Sequence, residues 1–112
     1  MPTLANYVVI KDDFITLLAG NVQNFTFDAP AVDGTVGTIL FFRVSPNVNA
    51  GLELTINGTV VFTVPSFNVD GGRSLHEIVP SGLVQPAGNM LTVTNTGAAS
   101  LTCSAITLFF QT

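Results

Sequence analysis

The stretch "ILFFRVSPNVNAGLELTINGTVVF", residues 39–62, decides how this chain folds. Its apolar residues alternate with their neighbours at a period of two. Leu40, Phe42 and Val44 oppose Ile39, Phe41 and Arg43, and then Leu52, Leu54 and Ile56 oppose Glu53 and Thr55. That period sends successive side chains to opposite faces of an extended chain, as half-buried β-strands require. Two breakers interrupt it, "PNVNA" and Asn57-Gly58. If the first closes a hairpin with Ser45 opposite Gly51, then Val44 faces Leu52, Phe42 faces Leu54 and Leu40 faces Ile56. The same register sets Arg43 beside Glu53 on the other face. At Asn57-Gly58 a two-residue loop would put Leu54 opposite Val61. A three-residue loop with Gly58 left-handed brings Val60 and Phe62 to the inward face with Leu54 and Leu52, and burial favours it.

Working outward, similar segments recur near 6–10, 13–18, 22–28, 36–45, 51–56, 59–64, 74–79, 90–95 and 100–110. Clusters such as "APAVDG", "FNVDGG", "PSGLVQPAGN" and "NTGAAS" separate them. No 3.6-residue apolar period runs long enough for a helix, so the spacing predicts an all-β sandwich of about eight or nine strands. In the last segment Leu101 and Cys103 lie on one side, and Ile106, Leu108 and Phe110 on the other. A bulge near Ser104-Ala105 brings both sets inward, unless both faces are covered.

The length of 112 residues, with no linker or repeat, predicts a single domain over residues 1–112. Only 9% of residues are charged and the net charge is −4, against about 25% charged in an average domain. A negative, lysine-poor surface repels phosphate backbones and argues against nucleic acid as a partner. Mean hydropathy is high at +0.56, yet no apolar run nears the roughly 20 residues of a spanning helix, so membrane insertion is not expected. The N-terminal "MPTLANYVVIKDD" lacks the marks of a signal peptide. Cys103 is the single cysteine, which excludes an internal disulfide, and its setting in "LTCSAITLFF" reads as a small buried hydrophobe.

The run "LELTINGTVVF…GGRSLHEIVPSGLVQPAGNMLTVTNTG…CSAITLFFQ" resembles the second half of galactose-binding-like jelly-roll domains, known as carbohydrate-binding modules and as sugar-binding domains of some glycosidases. The shared features are the Asn57-Gly58 hairpin, the strand Leu75–Val79, the segment Pro80–Pro86, and Gly88-Asn89 before Leu91-Thr92-Val93. They cover roughly residues 50 to 110. The resemblance implies a jelly-roll β-sandwich of antiparallel strands and, by analogy, recognition of a glycan.

Candidate sites are few. His76-Glu77 opens like a zinc-protease helix, but the fourth residue on is Pro80 and no second histidine exists. On a strand the pair points to opposite faces, which reads as a solvated Glu and a satisfied His. Asp12-Asp13 diverge on a strand, and on a turn they offer at most a calcium contact. The C-terminal "LFFQT" brings no acid to complete the calcium site that the resemblance suggests, so no cofactor or metal is assigned. The long loop "VPSFNVDGGRS" is richer. Phe67 offers a ring to stack on a sugar, Asn68, Asp70 and Arg73 offer hydrogen bonds to hydroxyls, and Gly71-Gly72 lets the backbone approach. The alternative is an ordinary loop capped by Asn and Asp. Finally, Ile39, Phe41 and Val61 beside the Arg43–Glu53 pair predict an apolar outer face suited to homo-oligomer contact.

These readings converge on a non-enzymatic, lectin-like jelly-roll module that binds a glycan and works as an oligomer. The alternative is a structural subunit of a coat, fibre or appendage without a small-molecule ligand. With no nucleophile–base pair and no metal-ligand cluster, an enzyme ranks third.

Overall fold

In the computed structural model, which describes residues 5–68 and 70–112, the alternating segments all become strands. They are β1 (Ala5–Lys11), β2 (Ile15–Leu17), β3 (Val22–Phe27), β4 (Thr38–Pro46), β5 (Leu52–Ile56), β6 (Thr59–Val64), β7 (Arg73–Val79), β8 (Asn89–Thr94) and β9 (Leu101–Gln111). Each matches one of the nine expected segments to within about three residues, the usual latitude of element ends. Sheet I has the order β1-β9-β4-β7, with the short β2 also paired to β9; sheet II has the order β3-β8-β5-β6. Every pairing is antiparallel. Most connections cross from one sheet to the other, and only β5 and β6 pair as consecutive strands. This is a jelly-roll β-sandwich.

One expected hairpin does not form. β4 pairs with β7 and β9 in sheet I, while β5 pairs with β6 and β8 in sheet II. The loop "PNVNA" therefore crosses between sheets. Leu40, Phe42 and Val44 do face the core, as do Leu52, Leu54 and Ile56, but across the sandwich instead of side by side. An inward stripe is satisfied equally by either arrangement, so alternation alone does not choose between them. Arg43 lies between Ser74 and Ser104, and Glu53 between Thr63 and Thr94, so they are not cross-strand neighbours and sit in different sheets. The apolar outer face is corrected with them. Ile39 and Phe41 lie on sheet I, whereas Val61 belongs to sheet II.

The β5–β6 turn follows neither expected register. Ile56 pairs with Thr59, a two-residue loop, and both Asn57 (φ 51°) and Gly58 (φ 84°) are left-handed, as a type I′ turn demands. A bulge at Val61 then pairs Leu54 with Phe62 and Leu52 with Val64. The bulge restores the inward phase that the short loop alone would lose. The bulge anticipated in β9 is present: Phe41 pairs with Thr107 but Arg43 with Ser104, and Ala105 is left-handed at φ 52°. Leu101, Cys103, Ile106, Leu108 and Phe110 are consequently all buried.

Two buried asparagines brace the ends of β8. The Asn95 amide donates to the carbonyls of Leu17 and Ala99, and its oxygen accepts from the amides of Gly51 and Gly97. Asn89 donates to the carbonyls of Phe27 and Gln85 and accepts from the Gln85 amide and the Asn57 side chain. Each is fully enclosed, so these bonds replace lost water contacts and fix the loops at both ends of the sandwich.

Cys103 is 1% exposed, and desolvation pushes its thiol from an ordinary 9.0 up to about 12. Since the folded thiol holds its proton above the unfolded value, its contribution to stability is intact below pH 9. It fades as pH rises from there toward 12. Iodoacetamide at pH 8 is expected to leave the native protein unlabelled and to label it fully in denaturant. Rapid native labelling, read by mass spectrometry, would refute this placement.

The two outer faces differ in chemistry. On sheet I, one cross-strand row runs Tyr7–Phe109–Ile39–Ile78, and the next runs Val9–Thr107–Phe41–His76. Tyr7 is 61% exposed and Ile78 75%. On sheet II the corresponding rows are Val22–Thr94–Glu53–Thr63 and Asn24–Thr92–Thr55–Val60, more polar than those of sheet I, with the Thr92 hydroxyl donating to Asn24 at 2.8 Å.

Candidate functional site

β6 and β7 are edge strands of opposite sheets and face each other across the open side of the sandwich. Inward-pointing residues there are only partly covered. Phe62, Val64 and Leu75 are half-buried, whereas their counterparts on central strands are fully enclosed. Between the two strands lies a cleft of about 540 Å³, lined by Phe62 and Val64 of β6, Arg73 and Leu75 of β7, and Ser66, Phe67 and Asn68 of the connecting loop. That volume falls within the range of small-molecule sites, and the lining combines an apolar floor with a few polar groups at one end.

Three of the four residues expected to bind come together here, Phe67, Asn68 and Arg73. Phe67 takes a different place from an exposed stacking platform. It is 4% exposed, its amide donates to the Ala50 carbonyl at 2.8 Å, and its own carbonyl accepts from the Asn49 amide at 2.9 Å. Its ring supports the Arg73 guanidinium, whose carbon lies 5.4 Å from the ring centroid. That contact holds the cation over the cleft by its attraction to the ring face. Asp70 is not among the lining residues. Its carboxylate accepts from the Val48 amide at 2.6 Å and so ties the β6–β7 loop to the β4–β5 crossover. Gly71 is left-handed at φ 118°, and a side chain at Gly72 would press on the Ser45 hydroxyl.

Phe62, Val64, Ser66 and Leu75 were not singled out by the sequence. Alternation marks the apolar three as core, and only their place on edge strands leaves them accessible. Phe62 also meets Phe42 edge-on, with centroids 5.2 Å apart and planes at 71°, so the cleft floor is continuous with the centre of the core. His76 and Glu77 do point to opposite faces: His76 lies outward beside Phe41, and Glu77 turns to the side of Leu40 at the sheet edge.

No protein-family model and no curated protein sequence matches the chain. Solved structures do resemble it. A family 29 carbohydrate-binding module from Piromyces equi superposes with a TM-score of 0.55 at 11% identity, over 95% of this chain and 91% of that one. The C-terminal domain of the sugar-binding protein EclA gives 0.56 at 9% identity, over 96% and 79%. A chain of the T13 viral particle of infectious bursal disease virus gives 0.51 at 13% identity, over 97% of this chain but 31% of its own length. At these identities the likeness is one of fold, and it agrees with the jelly roll read from the strand order.

Proposed function

We propose that the chain is a non-enzymatic module that recognises a glycan in the cleft between β6 and β7. The observation that carries this reading is the joining of an apolar floor to Arg73, Asn68 and Ser66 in one open cleft. Sugar rings present apolar faces and a rim of hydroxyls, and this lining is suited to both. The carbohydrate-binding module and the sugar-binding domain with the same fold support the reading. The disposition of reactive side chains also favours binding over catalysis. The one cysteine is enclosed in the core, and the one histidine lies on the outer face of sheet I.

A glycan array with the purified protein tests the reading. Arg73→Ala is expected to weaken binding about 10- to 100-fold, the worth of charge-assisted hydrogen bonds. Stability should change by no more than about 1 kcal/mol, the scale of the lost ring contact. Asn68→Ala should weaken binding less, since a neutral amide donates weaker bonds. An array with no bound glycan, together with melting temperatures lowered in both variants, would make the loop structural.

The module is further proposed to act as a homo-oligomer. The outer face of sheet I favours this and also favours the second reading, a structural subunit of a multi-chain assembly. Tyr7, Val9, Ile39, Phe41, Ile78 and Phe109 adjoin one another there. With about 150–250 Å² for each aromatic side chain, their exposed parts total on the order of 600 Å². That approaches the roughly 800 Å² per partner of a stable interface. No carboxylate lies in these two rows, so a second copy placed on them meets no like-charge repulsion. Light scattering is expected to show a dimer or larger species for the wild type and a monomer for Ile78→Lys. A monomeric wild type at 1 mM, on the order of the weakest specific contacts, would remove this face as a self-association site.

A further inference from the structure

The polar end of the cleft has an unbalanced chemistry. Arg73 brings a fork of N–H donors, and its guanidinium forms no hydrogen bond or ion pair among the described residues beyond its ring contact with Phe67. The lining contains no carboxylate: Ser66 and Asn68 supply the side-chain acceptors. Asp70, the nearest acid in sequence, is engaged by the Val48 amide. Glu77 lies four residues further along β7, about 13 Å away at the rise of an extended strand. Arg43 lies on the outer face of sheet I, outside the cleft, so Arg73 is the cation of the lining.

A neutral sugar hydroxyl both donates and accepts, and sites for neutral sugars need acceptors as well as donors. A cleft with surplus donors and a half-buried guanidinium is complementary to a ligand with surplus acceptors. A planar guanidinium also matches an oxyanion in a bidentate fork, which an ammonium does not. The net charge of −4 does not cancel this attraction. Charges beyond about 8–10 Å are screened at physiological ionic strength, while the group in the cleft is in contact. We infer that the cleft takes an acidic sugar, one carrying a carboxylate or a sulfate, with Arg73 holding the oxyanion and Phe62, Val64 and Leu75 beneath the ring. This assignment rests on the glycan reading above and narrows it.

The test is calorimetric titration with three soluble probes: oligogalacturonate, a sulfated galactan oligomer and a neutral galactan oligomer. At least one acidic probe is expected to bind ten times or more tighter than the neutral one, and which of them does so identifies the oxyanion. Arg73→Gln should bring the acidic probe down to the level of the neutral one, with an unchanged melting curve. Arg73→Lys, which keeps the charge but loses the fork, should fall between, and it carries the test if the glutamine variant does not fold. Neutral and acidic probes binding equally, or an acidic preference surviving in Arg73→Gln, would overturn the acidic assignment and leave the glycan reading intact. No binding by any probe, together with an empty glycan array, would remove both. Benzoate competing as strongly as the oligomers would show a site for small acids in place of a sugar site.

Discussion

Replacing Gly97 with alanine is expected to lower stability by about 4 kcal/mol or more, a large share of the 5–15 kcal/mol that holds a domain together. A Cβ at this position would run into backbone atoms of Asn49, Ala50 and Gly51. Backbone cannot turn aside as a flexible side chain can, so the loops at 47–51 and 95–99 must separate. Their separation breaks the bonds from Thr96 to Gly51 and from Ala98 to Asn49, and it pulls both glycine amides off Asn95. Urea denaturation should show the loss as a lower midpoint, or as a chain already unfolded without denaturant. Gly34→Ala is the control. Nothing lies within 4 Å of a Cβ there, and its effect should stay within about 0.5 kcal/mol. Equal effects for the two variants would mean that the loops do not dock as described.

Phe42→Ala should cost about 3–5 kcal/mol, and Leu54→Ala about 2–5 kcal/mol. Each is 1% exposed, and they lie on the inward faces of opposing sheets, so truncation leaves a cavity that neither strand can close alone. The two effects are expected to differ in reach. Phe42 supports the Phe62 ring in the cleft floor, so its loss should also weaken ligand binding, whereas Leu54→Ala should affect stability chiefly. Melting curves within a degree or two of the wild type for both would mean that the inward stripes are assigned backwards.

The strands were legible because alternation and turn residues are local signals. Leu40, Phe42 and Val44 announce an inward face whatever lies opposite. Which strand lies opposite is not local, and there the sequence misled. The apparent match of Val44 with Leu52 and of Arg43 with Glu53 arises because two inward stripes joined by a short loop look the same within one sheet or across two. The bulge at Ala105 was readable because five apolar side chains would otherwise divide between faces. The bulge at Val61 was hidden, since two turn lengths competed at Asn57-Gly58 and only one extra residue separated them.

In the cleft, the loop chemistry of Asn68 and Arg73 was visible, because polar residues beside paired glycines stand out from strand patterning. The floor was not, since Phe62, Val64 and Leu75 follow the same alternation as true core residues. Asn89 was visible only as part of the Gly88-Asn89 turn, and Asn95 gave no signal of burial. An asparagine near a turn reads as surface chemistry, and only the closed sandwich shows each of them enclosed with four hydrogen bonds.

The position of β9 imposes an order in time. It lies between β1 and β4 and also holds β2, so β1 and β2 have no sheet partner, and β4 only β7, until β9 is synthesised. A ribosome adding about 5–20 residues per second needs roughly 5–20 s to pass from β1 to β9. During that interval the β5–β6 hairpin, the β4–β7 pair and then sheet II can form, while β1 and β2 carry unpaired edges and the inward stripes of sheet I lack their centre. Cutting the chain short within β9 would therefore not trim an edge but remove the middle of a sheet, and the nascent protein passes through that vulnerable state each time it is made.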